Sequence, residues 1–185
     1  MPFSASRLQQ LVIEHMKPSS NTAETRNSVI VRNSPVHGVG VFARRKLSAG
    51  DCIIEYTGER IEWDLAQQRS DALDGPLNLT YYFSLSDGRV IDGGSNGNAA
   101  RFVNHSCEPN CEAIEDDEGR VFLYAMQEIE RGEELSYSYP LIYEGRHTPA
   151  VKREFACRCG TPSCSGTMLM PKRSARYQAQ KKGLV

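Results

Sequence analysis

From Asn27 onward the apolar residues come in short runs, many alternating with polar ones, and glycine, proline or acidic turns separate them. Asn27 to Arg32 alternates weakly and reads as a first strand. Val41-Phe42-Ala43 and Cys52-Ile53-Ile54-Glu55-Tyr56 read as two more, flanking a turn at Ala49-Gly50. Tyr81 to Leu85 and Arg89 to Asp92 predict a hairpin around Asp87-Gly88, the strongest turn signal in the chain. Cys111 to Ile114 and Val121 to Ala125 predict another pair. The acidic run Glu115 to Gly119 between them reads as a solvated turn. Helical spacing is confined to two places. Leu8, Leu11 and Val12 predict a short amphipathic helix over 7–15, followed by a polar linker, and a second helix is expected over 61–73, ended by Gly75-Pro76. Many short strands and few short helices predict a mostly β protein.

One stretch breaks the rhythm. Arg101-Phe102-Val103-Asn104-His105-Ser106-Cys107-Glu108-Pro109-Asn110-Cys111 sets a polar pair directly after an apolar one. Asn104 and His105 would be costly inside a core unless each met a defined partner. Such a mixture points to a site.

The chain has 185 residues and a formal net charge of -1, which fits one domain and gives no global attraction to nucleic acid or membrane. No apolar run is long enough to span a bilayer, and Met1-Pro2-Phe3-Ser4 does not resemble an export signal, so an intracellular setting is expected. In that setting the six cysteines favour metal over disulfides. Zinc takes four tetrahedral ligands, and Cys157, Cys159 and Cys164 offer three thiolates on one short loop. Cys107 is the candidate fourth, because Cys111 starts a strand and Cys52 lies inside one, as a small core residue. The site would be structural and would clip the C-terminal segment onto the central stretch.

Other motifs carry less. Gly38-Val39-Gly40 lacks the third glycine and the strand-to-helix context of a dinucleotide loop. Gly93-Gly94-Ser95-Asn96-Gly97 matches a nucleophile elbow, with His105 and His147 as bases, but the surrounding pattern is not that of the hydrolase fold. Tyr56, Tyr81, Tyr82, Tyr137 and Tyr139 come from separate segments and could line a slot for a cationic side chain. From Pro171 to Val185 five basic residues, Lys172, Arg173, Arg176, Lys181 and Lys182, stand without an acidic one, a tail that is either solvated or able to make weak, salt-dependent nucleic-acid contact.

Taken in order, His37-Gly38-Val39-Gly40, Glu55 to Glu59, Arg101 to Cys111, Gly132 to Tyr139 and the Cys157, Cys159, Cys164 cluster resemble the SET-domain protein-lysine methyltransferases with a post-SET zinc segment. Gly97-Asn98-Ala99-Ala100-Arg101-Phe102 is similar to the trithorax and mixed-lineage-leukaemia group. The resemblance implies the β-clip (SET) fold, in which small sheets surround a knot-like threaded segment. It divides the chain into an N-terminal helix and linker (1–26), a SET domain (27–142), a post-SET zinc segment (143–170) and a basic tail (171–185). It implies S-adenosylmethionine bound by His37, Gly38, Val39, Gly40, Tyr81, Arg101, Asn104 and His105, with Phe155 and Arg158 closing from the post-SET side. Tyr139 falls at the catalytic tyrosine, Tyr56 in the lysine channel, and Tyr137 at the position that tunes the product, which predicts mainly monomethylation. Desolvation in a narrow aromatic channel, beside a sulfonium, would favour the neutral lysine that methyl transfer needs. Ser138 departs from the family, which usually has Asp or Asn between the tyrosines. No long insert separates Trp63 from Asn98, so the domain resembles compact bacterial forms as well as isolated catalytic domains. The substrate implied is a lysine-containing, histone-like tail, met in the cytoplasm of a bacterium or in a nucleus. The reading from another class is an inactive SET-like module that binds a peptide.

Overall fold

The computed structural model describes residues 8–9, 28–72, 81–139 and 141–174. Among the described residues, twelve short strands and two short α-helices follow one another, and no sheet has more than three strands. The first three-stranded sheet pairs β4 (Cys52–Tyr56), β10 (Val121–Ala125) and β9 (Cys111–Glu115), all antiparallel with β10 central. As the central strand, β10 buries every residue but Tyr124 at least nine-tenths, so its sequence is continuously apolar instead of alternating. A second three-stranded sheet pairs β5 (Glu59–Ile61), β7 (Val90–Asp92) and β6 (Tyr82–Ser84). The β6–β7 hairpin turns at Asp87-Gly88 as expected, with Gly88 at φ 87°, a region that other residues enter at a cost. β2 (Val29–Asn33) and β3 (Val39–Ala43) form a separate antiparallel ribbon.

One core joins these sheets. Val41, Ile53, Tyr56, Phe83, Val103, Leu123, Ile129, Leu135 and Tyr137 belong to a single buried cluster. A smaller cluster of Ile61, Ala66 and Val90 seats α1 (Trp63–Asp71) on the second sheet, with Trp63 packed against it. The helix expected over 61–73 therefore starts two residues later, because Ile61 is taken by β5.

The central stretch is held by long-range pairing. Asn98 starts a 3₁₀ turn over Ala99–Phe102 by accepting from Ala100 N at 3.1 Å, and its amide donates to Glu55 O at 2.7 Å. β8 (Asn104–His105) then lies parallel to β11 (Ser136–Tyr137). Asn110 fastens this crossing: its side chain donates to Glu134 O at 2.9 Å and accepts from Ser136 N at 2.9 Å. The chain leaves through β12 (Ile142–Tyr143) and α2 (Pro149–Glu154), and Phe155, just after α2, is buried against the Tyr143 ring.

Two expectations need correction. Leu8 and Gln9 form a two-residue strand, β1, paired with β12, where a helix was expected; the rest of 7–15 lies outside the described residues. The acidic turn is solvated only at Asp117 and Glu118. Glu115 and Asp116 are buried, because Glu115 accepts from the Ser86 N–H and hydroxyl, while Asp116 accepts from the backbone of Glu118 and Arg120 and pairs with the Arg120 guanidinium. Cys52 is half-buried in β4, and Cys111 is buried at the start of β9.

Candidate functional site

A cavity of about 600 Å³ opens between the β2–β3 loop, α1, the central stretch and the segment after α2. Its size suits a small organic molecule. His37, Gly38 and Val39 form one wall, Tyr81, Arg101 and Phe102 another, Asn104 and His105 the floor between them, and Phe155 and Arg158 a lip. Tyr56, Tyr137 and Tyr139 converge in the same cavity. Gly40 is the one residue of the expected binding set outside the lining. A Cβ there would collide with the Glu134 carboxylate, so its glycine permits a close approach behind the wall.

The loop wall is held from below. The Asn104 amide donates to Val39 O at 3.1 Å, His37 O at 3.3 Å and Glu134 Oε1 at 2.8 Å. The Arg101 guanidinium lies over the Phe102 ring, 4.6 Å from its centre, and donates from Nη1 to Gly93 O at 3.0 Å. Its Nε is buried without a hydrogen-bond partner among the described residues.

The tyrosines are fixed by backbone carbonyls. Tyr56 OH donates to Tyr81 O at 2.7 Å, and Tyr139 OH donates to Val103 O. The Tyr137 and Tyr139 rings have centres 4.6 Å apart, and Phe83 packs against both Tyr56 and Tyr137. Burial pushes the Tyr56 and Tyr139 hydroxyls well above the usual range, so both stay neutral. Burial also lowers His105 to about 4. Its Nδ1 accepts the Tyr139 N–H at 2.8 Å, which leaves the ring proton on Nε2, 3.6 Å from Cys107 Sγ.

The four thiols expected to share a metal do come together. Cys107, Cys157, Cys159 and Cys164 place their sulfurs within 4.8 Å of one another, and those of Cys107 and Cys157 are 3.8 Å apart. Four sulfurs at about 2.3 Å around a tetrahedral zinc would stand about 3.8 Å from each other, so the spacing fits that ion. Burial pushes the Cys157 thiol up. At Cys159 burial acts the same way, but hydrogen bonds from Thr161, the Cys107 backbone and Cys157 together outweigh it and bring that thiol down to about 6.

The serine motif is not an elbow. Gly93 to Gly97 is a turn, Ser95 O accepts from Glu59 N, and the two candidate bases are engaged elsewhere, His105 with Tyr139 and His147 with Tyr143 O. Three residues that organise the site went unremarked in the sequence. Glu134 sits under the loop wall, and Asn110 clamps the crossing. Glu108 Oε1 accepts from Ser163 N at 3.0 Å, a second clip between the central stretch and the cysteine loop. The signal for Glu134 was an acidic pair, Glu133-Glu134, set just before the short strand Ser136–Tyr137. Among the described residues no helix is long and apolar enough to cross a membrane.

Comparison with known proteins agrees with this geometry. The chain is 38% identical over 153 residues to human histone-lysine N-methyltransferase 2B, covering 81% of this chain and 5% of that protein. It is 37% identical over 144 residues to the Drosophila melanogaster histone-lysine N-methyltransferase trr, covering 76% and 6%. A Candida albicans histone-lysine N-methyltransferase described as H3 lysine-4 specific is 36% identical over 169 residues, 89% of this chain and 16% of that protein. The chain thus spans less than a fifth of the length of each of these relatives. Among solved structures, an active polycomb repressive complex 2 in the basal state contains a chain that matches with a TM-score of 0.55 and 30% identity, over 60% of this chain and 15% of that one. The SET domain family pattern matches residues 38–140, more than half of the sequence, and on that match the chain belongs to the SET-domain family.

Proposed function

We propose that this chain transfers the methyl group of S-adenosylmethionine to a lysine side chain in a histone or another basic protein tail, mainly once per lysine. The observation that carries the reading is the convergence of Tyr56, Tyr137 and Tyr139 in the same cavity as the His37 to Val39 loop and Asn104. The histone-lysine methyltransferase names of the relatives, two-fifths identical or a little less, support the same chemistry and substrate class.

Bound S-adenosylmethionine would supply an electrophilic methyl on a cationic sulfur. His37, Gly38, Val39, Tyr81, Arg101, Asn104 and His105 would hold it, with Gly40 giving the loop its close seat and Phe155 and Arg158 closing the lip. The unpartnered Arg101 Nε and the roomy, part-aromatic lining fit such a molecule. Cys107, Cys157, Cys159 and Cys164 would hold a structural zinc ion with no open position, so the metal would fix the loop that carries Arg158 and do no chemistry.

The tyrosines would do the rest. Each of Tyr56 and Tyr139 spends its hydroxyl proton on a backbone carbonyl, leaving oxygen lone pairs for an amine N–H or a polarised methyl C–H. Because burial keeps these hydroxyls neutral, they orient an amine without supplying a counter-charge that would hold it as ammonium. Positioning a neutral nitrogen in line with the methyl then lowers the barrier by orientation. Tyr137, packed against Tyr139, would fill the space that an already methylated nitrogen requires. The basic residues of 171–185 would add a weak, salt-dependent contact with nucleic acid or an acidic partner, in an intracellular setting.

The test uses zinc-loaded protein, S-adenosylmethionine and mixed histones, read by mass spectrometry. Monomethyl-lysine is expected. Tyr139→Phe should reduce turnover by about 100-fold or more with zinc content unchanged, the scale seen when one catalytic contact is removed. Tyr137→Phe should shift the product toward di- and trimethyl-lysine. Retained turnover in Tyr139→Phe, or trimethyl product from the unaltered chain, would refute the respective role, and silence on every substrate would favour a peptide-binding module.

A further inference from the structure

We infer that Glu134 is a positioning residue for the methyl-donor site, holding the loop that closes over it without lining the cavity. The inference rests on the reading of that cavity as the S-adenosylmethionine site.

Glu134 lies between the Gly132 turn and β11, in an isolated bridge with Phe42 of β3. Its two carboxylate oxygens reach the two anchors of the loop from Ser34 to Gly40. Oε2 accepts from the Ser34 hydroxyl at 3.0 Å, and Oε1 accepts from the Asn104 amide at 2.8 Å. Each anchor in turn grips the loop backbone. The Ser34 oxygen accepts from Val36 N at 2.9 Å and His37 N at 3.3 Å, while the Asn104 amide donates to His37 O and Val39 O. Ser34 N also donates to Gly38 O at 2.9 Å, closing the loop on itself.

Among the contacts of the described residues, the carboxylate is therefore the one side chain that bonds both anchors, and it does so from outside the loop they grip. It fixes how Asn104 spends its donors. An amide held by a carboxylate from below can present only one orientation to the carbonyls above, which sets the height of His37 and Val39 over the cavity. Gly40 allows the contact, since any side chain there would push the carboxylate away. Such charge-assisted bonds are the stronger class of hydrogen bond, so this is a stiff link. Lining residues alone would not reveal it, because Glu134 does not touch the cavity.

The measurement is S-adenosylmethionine affinity by calorimetry on the full, zinc-loaded chain, with methyl-transfer kinetics alongside. Glu134→Ala should weaken donor binding by about tenfold or more, the value of a lost charge-assisted bond. Ser34→Ala, a milder change that keeps the carboxylate, should weaken it about threefold. The double variant should be weaker by less than the product of the two, because both act through one link. At saturating donor, turnover and the KM for the protein substrate should stay within about twofold. Glu133→Gln is the control. Its carboxylate bonds Asn110 and the Glu130 N–H, away from the loop, so it should leave donor affinity unchanged. Unchanged affinity in both Glu134→Ala and Ser34→Ala, or an equal loss in Glu133→Gln, would overturn the role of Glu134. If the unaltered chain binds no S-adenosylmethionine, the reading of the cavity itself fails, and the two failures are told apart by that first titration.

Discussion

The β4–β10–β9 sheet, which lends Tyr56 to the cavity, and the cysteine loop, which lends Cys157 and Arg158, are held by different forces. The sheet buries most of its residues, and Leu123 at its centre has no exposed surface. From Ala156 to Met168 no residue is buried, and the segment is tied by Phe155 at one end, Leu169 and Met170 at the other, and a few hydrogen bonds between. Water-excluding area stabilises the first region. The second has too little of it, and under the proposed function its order would come from a zinc ion shared by the four sulfurs. The cavity needs both, since Tyr56, Tyr137 and Tyr139 come from the core side and Phe155 and Arg158 from the loop side.

The largest effect should come from breaking the second region alone. In Cys107→Ser, amide hydrogen exchange over 157–168 should rise toward that of an unstructured chain, while β9 and β10 keep their protection. Equal loss of protection in both would mean that one cooperative unit spans them. Next is Leu123→Ala, which should cost about 2–5 kcal/mol of global stability in urea unfolding, with zinc stoichiometry unchanged below the transition. A loss well under that range would show that the core at β10 can collapse to fill the gap. The smallest is Glu108→Ala. It removes the exposed bond to Ser163 N, and zinc release to a chelator should quicken by no more than about fivefold. A far larger change would make this clip, and not the sulfurs, the principal tie.

Both regions were largely legible in the sequence. Strands β4, β9 and β10, the β6–β7 hairpin and three of the four clustered thiols were legible because each rests on short-range pattern: apolar runs, an Asp-Gly turn, cysteines close in sequence; Cys107 was reached because Cys52 and Cys111 fall in strands. What escaped depends on distant partners. Glu115 looks like part of a solvated acidic turn until Ser86, from the other sheet, supplies two donors. Leu8 and Gln9 carry helical spacing, yet their strand is set by β12, at the far end of the chain. Glu134 looks like surface charge beside Gly132, and only the arrival of Ser34 and Asn104 turns it into a support for the loop. Ile61 was claimed by β5 through Val90, against its helical pattern.

Under the proposed function a shared metal joins these regions and completes the methyl-transfer site. That role is tested most directly by titrating zinc into metal-stripped protein and measuring labelled methyl transfer from S-adenosylmethionine to mixed histones at each step. Transfer should rise in proportion to bound zinc and saturate at one ion per chain. Full transfer by the stripped protein, or none at saturating zinc, would contradict it.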